Sequence, residues 1–183
     1  MKLKDKVAFV TGGSSGIGRG ICHAFAKEGA SIVFIGLNEE KGKRTEKELV
    51  DLGSEALYIQ ADLSDTKGLP HLIDRTVEKF GRLDVLVNNA HSSKMATIEE
   101  TTEEMMNVSL NTGLWATFTL MQSALPYLKE TKGKVKLGEL ADYLKKEVPI
   151  QSLKINSKKQ TPTVAVSPGI EDTWRKLKIV GED

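Results

Sequence analysis

Two groups of residues in this sequence have the types and spacing to do chemistry. The first is Gly12-Gly13-Ser14-Ser15-Gly16-Ile17-Gly18, set directly after the apolar run Val7-Ala8-Phe9-Val10 and Thr11. That run is long enough for a buried strand and too short for a buried helix. Ile17, Ile21, Ala24 and Phe25 then share one face of a helix. Strand, glycine turn and helix together aim free backbone N–H groups and the positive end of a helix dipole at one point, where a phosphate can sit. Glycine is needed there because a Cβ would hold a pyrophosphate off the backbone and keep the helix from packing on the strand. The second group is titratable. Cys22 and His23 are adjacent on the first helix, so their side chains point roughly 100° apart and do not form a dyad. His91 has no cysteine or serine partner evident in the sequence, and it is assigned no catalytic role.

Composition bounds what these groups can serve. The chain has 183 residues, a one-domain length, with 39% hydrophobic and 28% charged residues. A net charge of +1 carries no signal for nucleic acid or a membrane surface. No stretch reaches the roughly eighteen apolar residues of a membrane span, and the first apolar run is too short for a signal peptide. The single cysteine, Cys22, excludes an internal disulfide and a cysteine-rich zinc site, and no metal site is expected. A cytoplasmic enzyme or binding domain is the expectation.

The elements that must position the glycine loop follow in order. Ala30 to Ile35 reads as a second buried strand, rich in β-branched residues. Asn38 caps a charged helix over Glu39 to Leu52, closed by Gly53 and expected on the outside. Ala56 to Gln60 makes a third strand. Asp65 is the expected cap of a helix carrying Leu69, Leu72, Ile73, Val77 and Phe80 on one face, with Pro70 in its first turn and Gly81 at its end. Leu83 to Val87 is a fourth strand. Strands alternating with helices at this rhythm imply right-handed βαβ crossovers and a parallel sheet. From Glu103 to Glu130, Leu110, Leu114, Phe118, Met121, Leu125 and Leu128 repeat at helical spacing. Core is the expected use of most of that stripe.

TGGSSGIG, residues 11–18, resembles the TGxxxGxG signature of the short-chain dehydrogenase/reductase family, and the resemblance runs over residues 1–133. It implies a three-layer α/β, Rossmann-like sandwich with a mostly parallel sheet in order 3-2-1-4. It also implies NAD or NADP as cofactor. Gly12, Ser14, Ser15, Gly16, Ile17 and Gly18 match the family's pyrophosphate loop. Asp62 and Leu63 fall where the family has an acid that bonds the adenine amino group. Asn88, Asn89 and Ala90 match its NNAG motif, with His91 in place of the last glycine. Gly36 and Leu37 stand where NAD-preferring members carry an acid and NADP-preferring members an arginine, which leaves the cofactor preference open; Lys41, Lys43 and Arg44 nearby read as solvated. Asn111 matches the active-site asparagine of the proton relay. The family's helix at 103–130 often forms a dimer contact, a use open to part of the stripe.

The relay's other members have no counterpart. A Tyr-x-x-x-Lys pair is required because the lysine lowers the tyrosine pKa and the tyrosinate exchanges a proton with the substrate oxygen. Tyr58, Tyr127 and Tyr143 are followed four residues on by Asp62, Thr131 and Glu147. No serine-bearing fifth strand follows Gly133, and the chain is shorter than is usual for the family. Instead, Lys134 to Thr163 is similar to the C-terminal portion of bacterial caspase-like peptidase domains, on GELADYLKKEV and Gln160-Thr161-Pro162. It departs at Lys136, where those proteins carry a threonine that caps the helix against Glu139. The caspase-like catalytic histidine and cysteine have no counterpart, so protease activity is not expected. Leu137, Leu140, Ala141, Leu144 and Val148 mark a helix stopped by Pro149. Ser152 to Lys159 reads as a surface connection, Thr163 to Val166 as a strand, and Trp174 to Val180 as a short closing strand. Ser167-Pro168-Gly169 also resembles a motif of the dehydrogenase family, so an internal deletion stays open beside the preferred reading, a recombined chain.

The sequence thus implies a single domain over residues 1–183, with the segment 134–183 extending the sheet past the fourth strand. Dinucleotide binding without efficient dehydrogenase chemistry is the leading expectation. The alternatives are a working oxidoreductase using Asn111 with an unrecognised acid, and a fold chimera with no activity.

Overall fold

The computed structural model describes residues 1–94 and 96–130. Val7–Thr11 forms β1, buried at every position, and it lies inside a four-stranded parallel sheet of order β3-β2-β1-β4. β2 is Ser31–Gly36, β3 is Ala56–Gln60 and β4 is Val85–Val87. The register runs Val7 beside Ser31 through Thr11 beside Ile35, and Val10 lies beside Val87. All-parallel pairing buries both sheet faces, which is why β1 and β2 read as continuous apolar runs without alternation.

The helices divide between the two faces. α1 (Gly16–Lys27) and α2 (Glu39–Asp51) cover one side, where Phe25, Ile21 and Leu49 pack on Ala8, Val10, Ile32 and Phe34. α3 (Leu69–Phe80) and α5 (Ala116–Glu130) cover the other, where Ile73, Leu69 and Leu120 pack on Phe9, Val33 and Ile35. This is the three-layer arrangement implied by the sequence. α2 presents Gly42, Thr45 and Leu49 inward; its thin contact works because a side chain at Gly42 would overlap the Tyr58 ring.

Three expectations need correction. Asp65 does not cap α3: Gly68 does, and Asp65 instead accepts the Gly68 amide at 3.3 Å, closing a turn ahead of the helix. The helix over 103–130 is not one regular α-helix. α4 (Glu103–Leu110) passes through a π-helical turn, Asn111–Trp115, into α5. Most of its large apolar stripe is not core either. Leu110, Leu114, Phe118, Met121 and Leu125 are exposed, Leu114 by 61%, while Ala116, Leu120 and Ala124 are buried in the core on this side of the sheet. The small residues Ala116 and Ala124 let this helix approach closely, and the face they share excludes the bulkier stripe. Leu128 is half-buried and packs on the α3 side of the core. The helix and strands expected between 134 and 180 lie outside the described residues.

Candidate functional site

The order β3-β2-β1-β4 reverses direction between β2 and β4 across β1, and a crevice opens at the C-terminal ends of the strands. Open α/β sheets place ligands at such a switch point. Here it is a cavity of about 250 Å³. The glycine loop contributes Gly12, Ser14 and Ser15, and the end of β2 contributes Ile35, Gly36 and Leu37. Ala61, Asp62 and Leu63 line it after β3, and Ala90, His91, Ser92 and Thr112 line it beyond β4.

The loop's shape follows from its glycines. Gly12 and Gly16 have φ of 70° and 54°, in the left-handed region that side chains disfavour. A Cβ on Gly18 would overlap the Gly12 carbonyl oxygen and lie 2.6 Å from Asn89 Nδ2, so α1 packs on the turn with no room for a methyl group. Ser15, the N-cap of α1, is extended and makes no side-chain capping bond. The first amides of α1 are therefore not claimed by its cap, which is the geometry an anion requires.

Thr11 ties the loop to β4. Its Oγ1 accepts the Asn89 and Ala90 amides, both at 2.9 Å, and Asn89 Nδ2 donates to the Thr11 carbonyl at 2.9 Å. Asn89 thus braces the strand ends from behind and does not line the cavity. Gly16, Ile17 and Gly18 also lie outside the lining. Asn111 is half-buried, opens the π turn and accepts the Ala116 amide through its carbonyl; its neighbour Thr112 reaches the cavity in its place. Asp62 lines the cavity while its Oδ1 accepts the Ser64 amide at 2.8 Å.

The end of β2 is held from β3. Tyr58 donates its hydroxyl to the Gly36 carbonyl and Gln60 its amide to the Leu37 carbonyl, both at 2.9 Å. Burial, then the Glu39 charge, push the Tyr58 phenol pKa upward, so the donor stays protonated. Asn38 caps α2 by accepting the Lys41 amide at 2.8 Å, and both residues line the cavity.

Several lining residues escaped the sequence reading. Ser92 and Thr112 carry no local motif, and Asn38 and Lys41, read as a helix cap and a solvated base, were not expected in the lining. His91 was expected to lack a serine partner, but Ser109 Oγ stands 3.3 Å from its Nε2, brought from eighteen residues away by the turn into α4. A Cβ on Gly113 would lie 2.8 Å from His91 Nδ1, so the imidazole packs on the π turn at a glycine. π turns inside helices occur frequently at functional sites. A polar residue ending an apolar strand was the available signal for Thr11.

Comparison with known proteins matches this geometry to a family. A model described as short chain dehydrogenase covers residues 6–135. The chain belongs to the short-chain dehydrogenase family. It is 37% identical over 135 residues to an uncharacterized oxidoreductase of Thermotoga maritima, covering 74% of this chain and 53% of the relative. It is 38% identical over 135 residues to the L-fucose dehydrogenase of Mus musculus, covering 73% and 48%. A short chain dehydrogenase from Burkholderia cenocepacia, solved in complex with NADP, superposes with a TM-score of 0.69 at 34% identity, over 71% of this chain and 54% of that one. This family member thus spans about half the length of the curated relatives it matches.

Proposed function

We propose that this chain binds NAD or NADP along the C-terminal edge of its sheet and is not an efficient dehydrogenase. The observation that carries the binding reading is the glycine loop at the cavity: Gly12, Ser14 and Ser15 line it, and Ser15, the cap of α1, makes no side-chain bond to the first amides of that helix. In this reading Gly12, Ser14, Ser15, Gly16, Ile17 and Gly18 cradle the pyrophosphate. Asp62 and Leu63 hold the adenine, Gly36 and Leu37 flank its ribose, and Asn89 and Ala90 keep the strand ends in register. Bound NAD or NADP would supply hydride transfer. The chain's own part is to bind and orient it. Without a Tyr-x-x-x-Lys pair, a substrate oxygen has no matched proton donor, which supports slow or absent turnover. Isothermal titration with NAD and NADP tests the proposal, and no heat at millimolar cofactor refutes it.

One observation favours a second reading, an active oxidoreductase with a different proton donor. His91 and Ser109 form a hydrogen-bonded pair at the cavity wall, beside the turn that begins at Asn111. Sustained cofactor turnover in a screen of alcohols and carbonyl compounds, lost in His91→Gln, supports that reading against the first.

The same proposal takes residues 134–183 as a recombined segment completing one domain. Val85, Leu86 and Val87 are each half-buried, and β4 is an edge of the sheet among the described residues, which leaves an apolar strand to be covered. Removing 134–183 is then expected to lower the melting temperature. The exposed stripe of α4 and α5 suits a second copy of the chain, tested by sedimentation of Phe118→Glu. No described helix is long and apolar enough to cross a membrane, and a cytoplasmic site of action is part of the proposal.

A further inference from the structure

We infer that the cavity selects NADP over NAD, and that Lys41 with Ser14 and Asn38 forms the seat of the 2′-phosphate. The inference rests on the dinucleotide reading of this cavity and adds its preference.

Sequence alone left the choice open because Gly36 and Leu37 offer neither an acid nor an arginine. The structure supplies a reason for Gly36. A Cβ there would overlap Ser14 Oγ, so the hydroxyl of Ser14 occupies the place that a side chain at the end of β2 would take. An acid able to bond both ribose hydroxyls, the device that favours NAD, cannot stand at residue 36 without displacing Ser14. Ser14 is 7% exposed and lines the cavity, and its hydroxyl has no hydrogen bond among the described residues. A buried hydroxyl left without a partner carries a cost unless a ligand meets it.

The positive charge comes from the next turn. Of the three basic residues at the start of α2, Lys43 pairs with Glu46 at 2.9 Å and Arg44 approaches Glu48 at 3.9 Å. Lys41 lines the cavity and its ammonium is in no ion pair among the described residues. Asn38 turns its carbonyl oxygen to the Lys41 amide, which leaves its amide group available to donate, and the residue lines the cavity. Glu39 and Glu40, also in the first turn of α2, are exposed and do not line the cavity. Asp62, the acid of the lining among the described residues, is tied to the turn after β3. The end of β2 therefore presents an ammonium, a hydroxyl and an amide donor, with Asp62 the one carboxylate among the described lining residues. That set suits a phosphate monoester, which carries about −1.5 to −2 charges at neutral pH and three acceptor oxygens. It gains little from a bare ribose hydroxyl.

Titration of the full chain with NADPH and with NADH, followed by the fluorescence of the reduced nicotinamide, tests this. NADPH is expected to bind at least about tenfold more tightly than NADH, the difference shrinking as salt rises. Lys41→Met, at an exposed position, is expected to remove most of that ratio by weakening NADPH far more than NADH, and Lys41→Arg to retain it. Equal or tighter binding of NADH overturns the inference while leaving the dinucleotide reading intact. A preference that survives Lys41→Met overturns the role given to Lys41. Failure of both cofactors to bind overturns the dinucleotide reading and the inference with it.

Discussion

The α-carbon of Gly18 lies against the carbonyl oxygen of Gly12, so closely that a Cβ on Gly18 would overlap it. Two glycines six positions apart thus set the distance between the turn after β1 and the first turn of α1. Asn89 closes the same contact from β4, its Nδ2 2.6 Å from that Cβ position. The shape of the anion cradle is therefore a packing contact first, and its amides are useful because nothing else fits between them.

Gly18→Ala is expected to lower stability by about 2 kcal/mol, since the clash is with backbone that must shift. It is also expected to weaken NADPH binding by at least about tenfold. Urea melts and fluorescence titration check the two effects separately.

Thr11→Val keeps the shape of the side chain and removes the acceptor of the Asn89 and Ala90 amides. Leaving two partly buried donors without a partner is expected to cost about 1–3 kcal/mol. Urea denaturation measures it, and faster amide exchange at Asn89 and Ala90 identifies the cause.

Asp84 anchors the lower end of the sheet. Its carboxylate accepts the Val7 amide at 2.9 Å and pairs with Lys6 at 3.1 Å and Arg82 at 2.6 Å. Burial alone would raise its pKa, but Arg82, the Val7 amide and Lys6 together hold it below its ordinary value of 3.8. The carboxylate therefore contributes stability that is present above pH 3.8 and is lost as pH falls through the lowered folded value. Asp84→Ala is expected to cost about 3 kcal/mol at pH 7, and to flatten the acid limb of the stability curve.

His23 works over a different range. Burial pushes its pKa below the ordinary 6.5, opposed by its bond to Glu48 at 3.1 Å and reinforced by Arg19 and Lys27. A histidine held neutral in the fold contributes stability that is full above pH 6.5 and declines as pH falls toward the lowered folded value. Wild type is expected to lose stability as pH falls from 6.5 toward the lowered folded value, and His23→Gln to lose less. Carboxylates titrate below this window, so the difference between the two chains reports His23.

Cys22, on the buried face of α1, is fully buried, and burial pushes its thiol pKa far up. Its thiolate is scarce and out of reach, so a thiol reagent at pH 8 is expected to leave the folded chain unlabelled and to label it fully in denaturing urea. Fast labelling without denaturant would contradict the placement of α1.

Most of the fold was legible from local pattern. The run Val7 to Val10, the β-branched second strand and the amphipathic α3 each report their burial through side-chain period, because a two-faced sheet tolerates only apolar residues in its central strands. The cap at Asn38 and the end at Gly81 were legible because they depend on neighbours within one turn. The stripe of 103–130 misled for the same local reason. Large residues at helical spacing look like core, while the inward face is chosen by how near the sheet lies, and that distance admits Ala116 and Ala124.

The candidate site divides in the same way. The glycine loop, Asp62 and Asn89 could be read in the chain because their spacing is itself the motif, and spacing along one turn is a property of the backbone. Ser109 beside His91, Ser14 in the space of Gly36, and Lys41 at the cavity rim are contacts between elements separated in sequence. Only the packing of α1, α2 and α4 around the strand ends brings them together, because a chain's local propensities carry no information about which distant side chain will fill a given space.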